Sequence, residues 1–147
     1  MTTAQMTTGL MGQPAEKRTL TALRDEAYDN AKAHGFHDVS RTVGDAMMLI
    51  TTEVAEAFEA YREGGKLNEM LYEALPGYPP NPAGLERKSQ SPDGRLYKPV
   101  GVPSEMADII IRVLDFCGEH AIDIERITLE KMAYNRSRPF KHGGKVL

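Results

Sequence analysis

The sequence predicts an all-α fold: a four-helix-bundle type of core that carries a long Pro-rich insertion and is completed by oligomerisation. Three observations support this prediction. Four segments repeat apolar residues at helical spacing, and no stretch shows the sustained alternation of a half-buried strand. Seven of the nine prolines lie between residues 64 and 103, which excludes a long helix there. One helical segment is apolar on most sides, so a second subunit is expected to bury part of it.

Residues 1–17 are rich in Thr, Gln, Gly and Met without periodicity, which predicts a flexible N-terminal tail. Residues 18–147 are expected to form a single domain, because a chain of this length supports one core. The first helix is predicted for residues 19–34, with Gly35 as its C-terminal stop. Its apolar stripe consists of Leu20, Leu23, Ala27 and Ala31.

The second helix is predicted for residues 42–63 and ends before a Gly-Gly pair. The Thr42 hydroxyl can cap it, and Asp45, three residues on, adds negative charge to the first turn. From residue 64 to residue 103 we expect a long loop with one short helix at residues 67–74. A loop of this length is either a lid over a functional site or a tolerated surface insertion, and both alternatives stay open.

The third helix is predicted for residues 104–117, between a proline and a glycine. Its polar stripe is limited to Glu105, Asp108, Arg112 and Asp115. The fourth helix is predicted for residues 123–136, because Asp123 suits an N-cap and Pro139 prevents extension.

The composition excludes several classes of protein. With 18 Lys and Arg against 21 Asp and Glu, the net charge of -3 gives no global positive field for nucleic acid. The longest apolar run, at residues 109–111, is too short to span a membrane, and the N-terminus lacks the apolar stretch of a signal peptide. The single Cys117 indicates a reducing, cytoplasmic location, where we expect it to act as a small core hydrophobe.

Two pairs of acids interrupt apolar helix faces. Glu53 and Glu56 are three residues apart on the second helix, so their carboxylates leave the same face. Glu105 and Asp108 repeat this spacing on the third helix, where the helix dipole alone also favours acids. A solvated helix face is the alternative for either pair taken singly. Together the four carboxylates predict a hard oxygen site for Mg²⁺, or for Mn²⁺, without the imidazoles that Zn²⁺ prefers.

A cationic stripe follows near the C-terminus. Lys131, Asn135 and Arg138 are spaced at i, i+4 and i+7 and are predicted to clamp phosphate groups. Residues 131–145 carry five Lys or Arg, one His and no acid, so a basic helix end that complements the helix dipole is the alternative. An acidic cation site and a cationic clamp in one small bundle predict metal-assisted attack on a polyphosphate.

The order of these motifs resembles a known family. Residues 53–56 (EVAE), 105–108 (EMAD) and 131–138 (KMAYNRSR) are similar to the ExxE, ExxD and K-x-x-x-N-x-x-R motifs of the MazG-like all-α nucleoside triphosphate pyrophosphohydrolases. The segment KPVGVPSEMADIIIRVLDFC also looks like the one that introduces the third helix of this family. The resemblance covers roughly residues 20–145, interrupted by the insertion.

The resemblance implies a Mg²⁺-dependent cut between the α and β phosphates of an NTP or dNTP, giving a nucleoside monophosphate and pyrophosphate. It implies that the four acids hold the metal and that one of them, Glu53 in our assignment, helps to deprotonate the attacking water. It further implies a homodimer or a homotetramer. The residues that it assigns to the substrate are Lys131, Asn135 and Arg138 for the phosphates and Tyr134 or Phe36 for the base.

The insertion is much longer than the usual gap between the acid motifs of the family, which leaves lid structure, assembly and nucleotide preference open. A phosphoribosyl-ATP pyrophosphatase-like activity and a non-catalytic helical interaction module are the alternative functions. His34 and His37 flank Gly35, and we expect a surface or capping role for both, with base contact as the alternative.

Overall fold

The computed structural model describes residues 18–73, 90–91 and 93–140, together with the backbone of residues 85–86. The described chain is mostly helical, with four α-helices and one small antiparallel sheet. The helices are α1 (Leu20–Ala33), α2 (Val43–Arg62), α3 (Val102–Glu119) and α4 (Ile124–Ser137). The strands are β1 (Leu71–Glu73), β2 (Leu85–Glu86) and β3 (Lys98–Val100). The predicted tail at residues 1–17 lies outside the described residues.

The capping residues explain why the helices begin where they do. In α2 the predicted N-cap is confirmed, because the Asp45 N–H donates to Thr42 Oγ1 at 3.1 Å and the Thr42 N–H donates to Asp45 Oδ2 at 2.8 Å. This reciprocal pair is a capping box. In α4 Asp123 is likewise the N-cap and accepts from the Arg126 N–H at 3.2 Å.

Glycines in the left-handed region end the first two helices. At the end of α2, Gly64 has a φ of 93° and donates to Tyr61 O at 3.0 Å, while the Gly65 N–H donates to Ala60 O at 2.9 Å. Gly35, with a φ of 76°, ends α1 with the same pattern of bonds. Only glycine adopts these angles at little cost, so the two predicted helix ends are confirmed.

The insertion contains a sheet, and the short helix predicted at residues 67–74 is wrong. Residues 67–68 form a turn and β1 follows. The strand order is β2-β1-β3, with Tyr72 opposite both Glu86 and Pro99. Pro99 lies on β3, an edge strand of the described sheet, which is where proline is tolerated because alternate N–H groups of such a strand face away from its neighbour. The strands are too short to show the period of two from which a sheet is predicted.

The third helix begins earlier and ends later than predicted. Pro103 is its second residue, a position where the missing N–H has no helical partner to lose. Gly118 was expected to stop the helix but lies inside it. Gly118 allows α3 to approach α1 closely, because a Cβ at this position would lie only 2.5 Å from Tyr28 Cβ.

The described residues form two compact units. The central unit comprises the described part of residues 40–113, and the terminal unit comprises residues 18–39 and 114–140. The expected organisation as one domain stays a prediction. The buried apolar residues are Ala46, Ala57, Tyr97 and Val102 in the central unit and Leu114 and Cys117 in the terminal unit.

Within the terminal unit, α1 packs against α4 and the turn before it. The Thr21 N–H donates to Glu125 Oε2 at 2.8 Å, and the Arg24 guanidinium donates to Ile122 O at 3.0 Å. The core prediction for Cys117 is confirmed, since it is buried and reduced, and burial raises the pKa of its thiol. Among the described helices, none combines the length and apolar character that crossing a membrane requires.

Candidate metal centre

Three of the four predicted acids converge in the central unit. Glu53, Glu56 and Glu105 each offer a carboxylate oxygen within 4.8 Å of the others. Helix α2 places the first two on one face, since they are three residues apart, and the first turn of α3 supplies the third. Glu53 is buried, Glu105 is half-buried and Glu56 is exposed. The cluster therefore joins two helices and opens to solvent at one end.

The fourth predicted ligand, Asp108, is not one of these three converging residues. It is half-buried on the next turn of α3, and its pKa is raised first by burial and then by the negative charge of Glu53. Its role as a metal ligand stays a prediction.

Burial and mutual repulsion act on the acids of α3. Burial raises the pKa of Glu105, and the charges of Asp108, Glu56 and Glu53 raise it further, in that order. Like charges in a partly desolvated site disfavour each other's ionised form. The ionised cluster is thus a local cost to stability, and a bound cation would relieve that cost.

Arg112 is a member of the site that sequence reasoning missed. Its Nε donates to Glu53 Oε1 at 2.8 Å, which joins α3 to α2 across the buried end of the cluster. Its charge also lowers the pKa of Asp108. The sequence places Arg112 in the polar stripe of the third helix, but nothing in the local pattern assigns it to the site. The spacing was still informative, because Arg112 follows Asp108 by four residues and so lies on the same helix face.

A cavity of about 580 Å³ lies beside the cluster within the central unit. The C-terminal half of α2, strands β1 and β3 and the start of α3 line it. Its acidic lining residues are Glu56, Glu59, Glu63, Glu73 and Glu105. Lys98 also lines the cavity, with its Nζ 4.0 Å from Glu73 Oε2, and its charge lowers the pKa of both Glu105 and Asp108. Sequence reasoning missed Lys98, since no strand was predicted there.

The donor set fits magnesium. Carboxylate oxygens from three residues supply the hard ligands that Mg²⁺ takes in proteins, usually alongside water. The bond from Arg112 to Glu53 is compatible with this use, because a carboxylate has two oxygens and several acceptor sites. Among the described residues, no other group of three or more His, Cys, Asp or Glu converges in this way.

The predicted phosphate clamp belongs to the terminal unit. Lys131, Tyr134 and Asn135 are exposed on α4, and the two cations lie near the tyrosine ring, Lys131 Nζ at 5.4 Å and Arg138 Cζ at 6.0 Å from its centroid. Arg138 was expected to continue the helix face, but it is the C-cap with an extended backbone. The other predicted basic residues, Lys141, His142 and Lys145, lie outside the described residues.

The two histidines beside Gly35 have different surroundings. His34 is exposed, with Nδ1 2.8 Å from Asn30 O, and this confirms a capping role. The expected surface role of His37 is wrong: its side chain is 13% exposed, and Nε2 lies 2.7 Å from Asp115 Oδ1. The acid comes from α3 of the same unit, a tertiary contact that the local sequence does not indicate. Phe36 is 59% exposed, and base contact by it stays a prediction.

We compared the chain with protein-family models, curated proteins and solved structures. No family model, curated protein or solved structure is significantly similar to the chain.

Proposed function

We propose that this protein is a Mg²⁺-dependent nucleoside triphosphate pyrophosphohydrolase that cuts between the α and β phosphates. The observation that carries the proposal is the convergence of Glu53, Glu56 and Glu105 from two helices to within 4.8 Å. A partly buried acid with a raised pKa beside a cavity, as Glu105 is, is typical of functional sites rather than of solvated helix faces. The resemblance of the three motifs to the MazG-like enzymes supplies the reaction.

In the proposed mechanism, Glu53, Glu56, Glu105 and Asp108 would hold magnesium, which would supply charge neutralisation for the phosphates and lower the pKa of the attacking water. Glu53 accepts the proton of the attacking water. The water oxygen forms a bond to the α phosphorus, the bond from that phosphorus to the bridging oxygen breaks, and the electron pair leaves with pyrophosphate.

Arg112 acts on this mechanism through Glu53. Its hydrogen bond to Oε1 fixes the orientation of the carboxylate, so the other oxygen keeps one direction. Lys131, Asn135 and Arg138 remain the proposed phosphate ligands, with Tyr134 as the base contact. The motif supports the three phosphate roles, and Tyr134 is assigned to the base as an aromatic residue of the same helix end; all four residues are exposed or half-exposed.

A four-helix core completed by self-association, as a homodimer or homotetramer, is the second part of the proposal. Large apolar side chains along α2 support it: Met47, Val54, Phe58 and Tyr61 are each more than half exposed. Their spacing of seven, four and three residues resembles the seam of a helical bundle. We expect light scattering to give a dimer or tetramer and Phe58→Glu to shift it towards monomer. A monomeric wild type would refute this part.

A cytoplasmic location is also proposed. Its support is that the sequence contains a single cysteine, Cys117, which is buried and free and cannot form an internal disulfide.

The decisive experiment is a screen of common NTPs, dNTPs and phosphoribosyl-ATP with Mg²⁺ and product analysis. We expect a nucleoside monophosphate and pyrophosphate from at least one NTP or dNTP. Cleavage of phosphoribosyl-ATP alone would instead favour the activity of histidine synthesis. Mn²⁺ is expected to substitute for Mg²⁺, since both take oxygen ligands.

The exposed apolar residues also favour a competing function, a non-catalytic module that binds a partner helix. Thermal unfolding separates the two. A metal that binds the native state must raise its melting temperature. If millimolar Mg²⁺ leaves that temperature unchanged and no nucleotide is cleaved, the pyrophosphohydrolase proposal is wrong and the interaction module is favoured.

A further inference from the structure

The cavity beside the acid cluster has an uneven distribution of charge. Acidic residues from α2, β1 and α3 line it, and Lys98 is the single basic residue among the described lining residues. A cavity of about 580 Å³ falls within the range of small-molecule sites. A purely acidic cavity would repel a polyphosphate even after metal binding, so a cation in the lining matters for the kind of ligand accepted.

The small sheet of the insertion places that cation. Leu71 and Glu73 of β1 line the cavity, as do Lys98 and Val100 of β3. Each pair is two residues apart, and alternate residues of a strand share one face. The antiparallel register sets Lys98 opposite Glu73. One face of the sheet therefore forms a wall of the cavity, and Lys98 is held on that wall.

Lys98 is also available to a ligand. Its side chain is 74% exposed, and its ion pair with Glu73 has an N to O distance of 4.0 Å, at the limit of such a contact. Exposed pairs of this kind are weak. Exchanging Glu73 for a phosphate oxygen therefore costs little.

We infer that Lys98 binds the phosphates that leave as pyrophosphate, in the cavity between α2 and the sheet. This inference rests on the proposed function. Glu56 and Glu105 line the cavity, whereas Glu53, the proposed base, does not. The attacked α phosphorus must lie at Glu53, so a substrate that extends into the cavity past Glu56 and Glu105 places its outer phosphates or its nucleoside there. Because Lys98 on the cavity wall is positively charged, it favours the outer phosphates over the nucleoside in this position.

The insertion thereby acquires a function, because it supplies a residue that recognises substrate. Lys98 is a binding residue, and its loss should affect substrate and pyrophosphate binding more than the chemical step.

The test compares Lys98→Met with Lys98→Arg and with the control Lys66→Met. Lys66 is similarly exposed, pairs with Glu69 at 3.5 Å and does not line the cavity. We expect Lys98→Met to raise KM for the best NTP about tenfold, the loss expected for one charge-assisted contact, with kcat within about threefold. Lys98→Arg should restore most of the affinity, and Lys66→Met should match wild type.

Product inhibition locates the contact. Lys98→Met should weaken inhibition by pyrophosphate about tenfold and leave inhibition by the nucleoside monophosphate unchanged. The Mg²⁺-induced rise in melting temperature should persist in this variant, which shows that the acid cluster is intact.

Several results overturn the inference. An unchanged KM with an altered Mg²⁺ response would make Lys98 only a counter-ion of the acids. Weakened inhibition by the monophosphate instead of pyrophosphate would place the nucleoside in the cavity. An active wild type with an unaffected Lys98→Met rejects the inference alone, whereas a wild type that cleaves no nucleotide rejects the proposed function and this inference with it.

Discussion

The acid cluster of the central unit and the cationic stripe of the terminal unit have the same kind of helical spacing but different surroundings. Glu53, Glu56 and Glu105 come from two helices, and burial together with the charges of neighbouring acids raises the pKa of Glu105. Lys131 and Arg138 lie at the exposed end of one helix, and both are near the ring of Tyr134. The ionised form of Glu105 is disfavoured among its acidic neighbours, whereas Lys131 is exposed on the surface of α4. Like charges held close together in a partly buried position therefore indicate a functional site more strongly than exposed cations on one helix do.

The largest effect that this comparison predicts is loss of activity on removal of a clustered acid. Glu53→Gln should lower kcat by about 10² to 10⁴, the usual contribution of a general base. It should also weaken the Mg²⁺-induced rise in melting temperature. The matched control is Glu26→Gln, an exposed acid of α1 paired with Arg18. Retention of full activity by Glu53→Gln would remove this residue from the mechanism.

The second prediction concerns Arg112. Arg112→Met leaves the buried Glu53 carboxylate without this partner, and we expect the free energy of unfolding without metal to fall by about 1 to 3 kcal/mol. Urea unfolding measures the change, and Mg²⁺ should recover part of it. Arg62→Met is the control, because Arg62 pairs with Glu59 at an exposed site and contributes less than about 1 kcal/mol. Equal effects of the two variants would contradict a supporting role for Arg112.

The third prediction tests the cationic stripe. If Lys131 binds phosphate, Lys131→Met should raise KM about tenfold with little change in stability. Lys32→Met is a matched control in the same unit, because Lys32 Nζ also lies over a tyrosine ring, 4.2 Å from the centroid of Tyr28. A KM like that of the control would show that the stripe is only a basic helix end. Of the two regions compared, only the acid cluster would then belong to a functional site.

The smallest predicted effect is on pH dependence. Glu105 and Asp108 have folded pKa values above their ordinary 4.5 and 3.8, so the protonated forms stabilise the metal-free fold at low pH. This stability is lost as the pH rises through the raised pKa values. The Mg²⁺-induced rise in melting temperature should therefore be largest at neutral pH and diminish as the pH falls through those values.

Two acids outside the cluster, Asp45 and Glu125, do not obscure the pH dependence of the Mg²⁺-induced rise in melting temperature. The pKa of Asp45 is lowered by hydrogen bonds from Thr42, and that of Glu125 by hydrogen bonds from Thr21. The stability that they contribute is present above their ordinary pKa values and is lost only below them. Thermal melts of wild type and Glu105→Gln at several pH values check the prediction. A Mg²⁺ response that does not vary with pH in wild type would argue against titration of the cluster.

Local signals accounted for the helices because their chemistry is local. Thr42 predicted the N-cap of α2, and Gly64 predicted the end of that helix, since both depend on neighbours within a few residues. The insertion was mispredicted for the opposite reason. Its strands are two or three residues long and are defined by pairing with partners distant in the sequence.

By itself, the sequence determined the four helices, the N-caps Thr42 and Asp123 and the helix faces that carry the acids, because a helical period and a first-turn hydrogen bond require only nearby residues. Only the tertiary structure decided which of those acids meet, since their convergence depends on the packing of α2 against α3. It also decided that Arg112 pairs with Glu53 across those helices and that Lys98 lines a cavity with Glu56 and Glu105. Burial and charge act between residues far apart in the chain, and no local pattern records them.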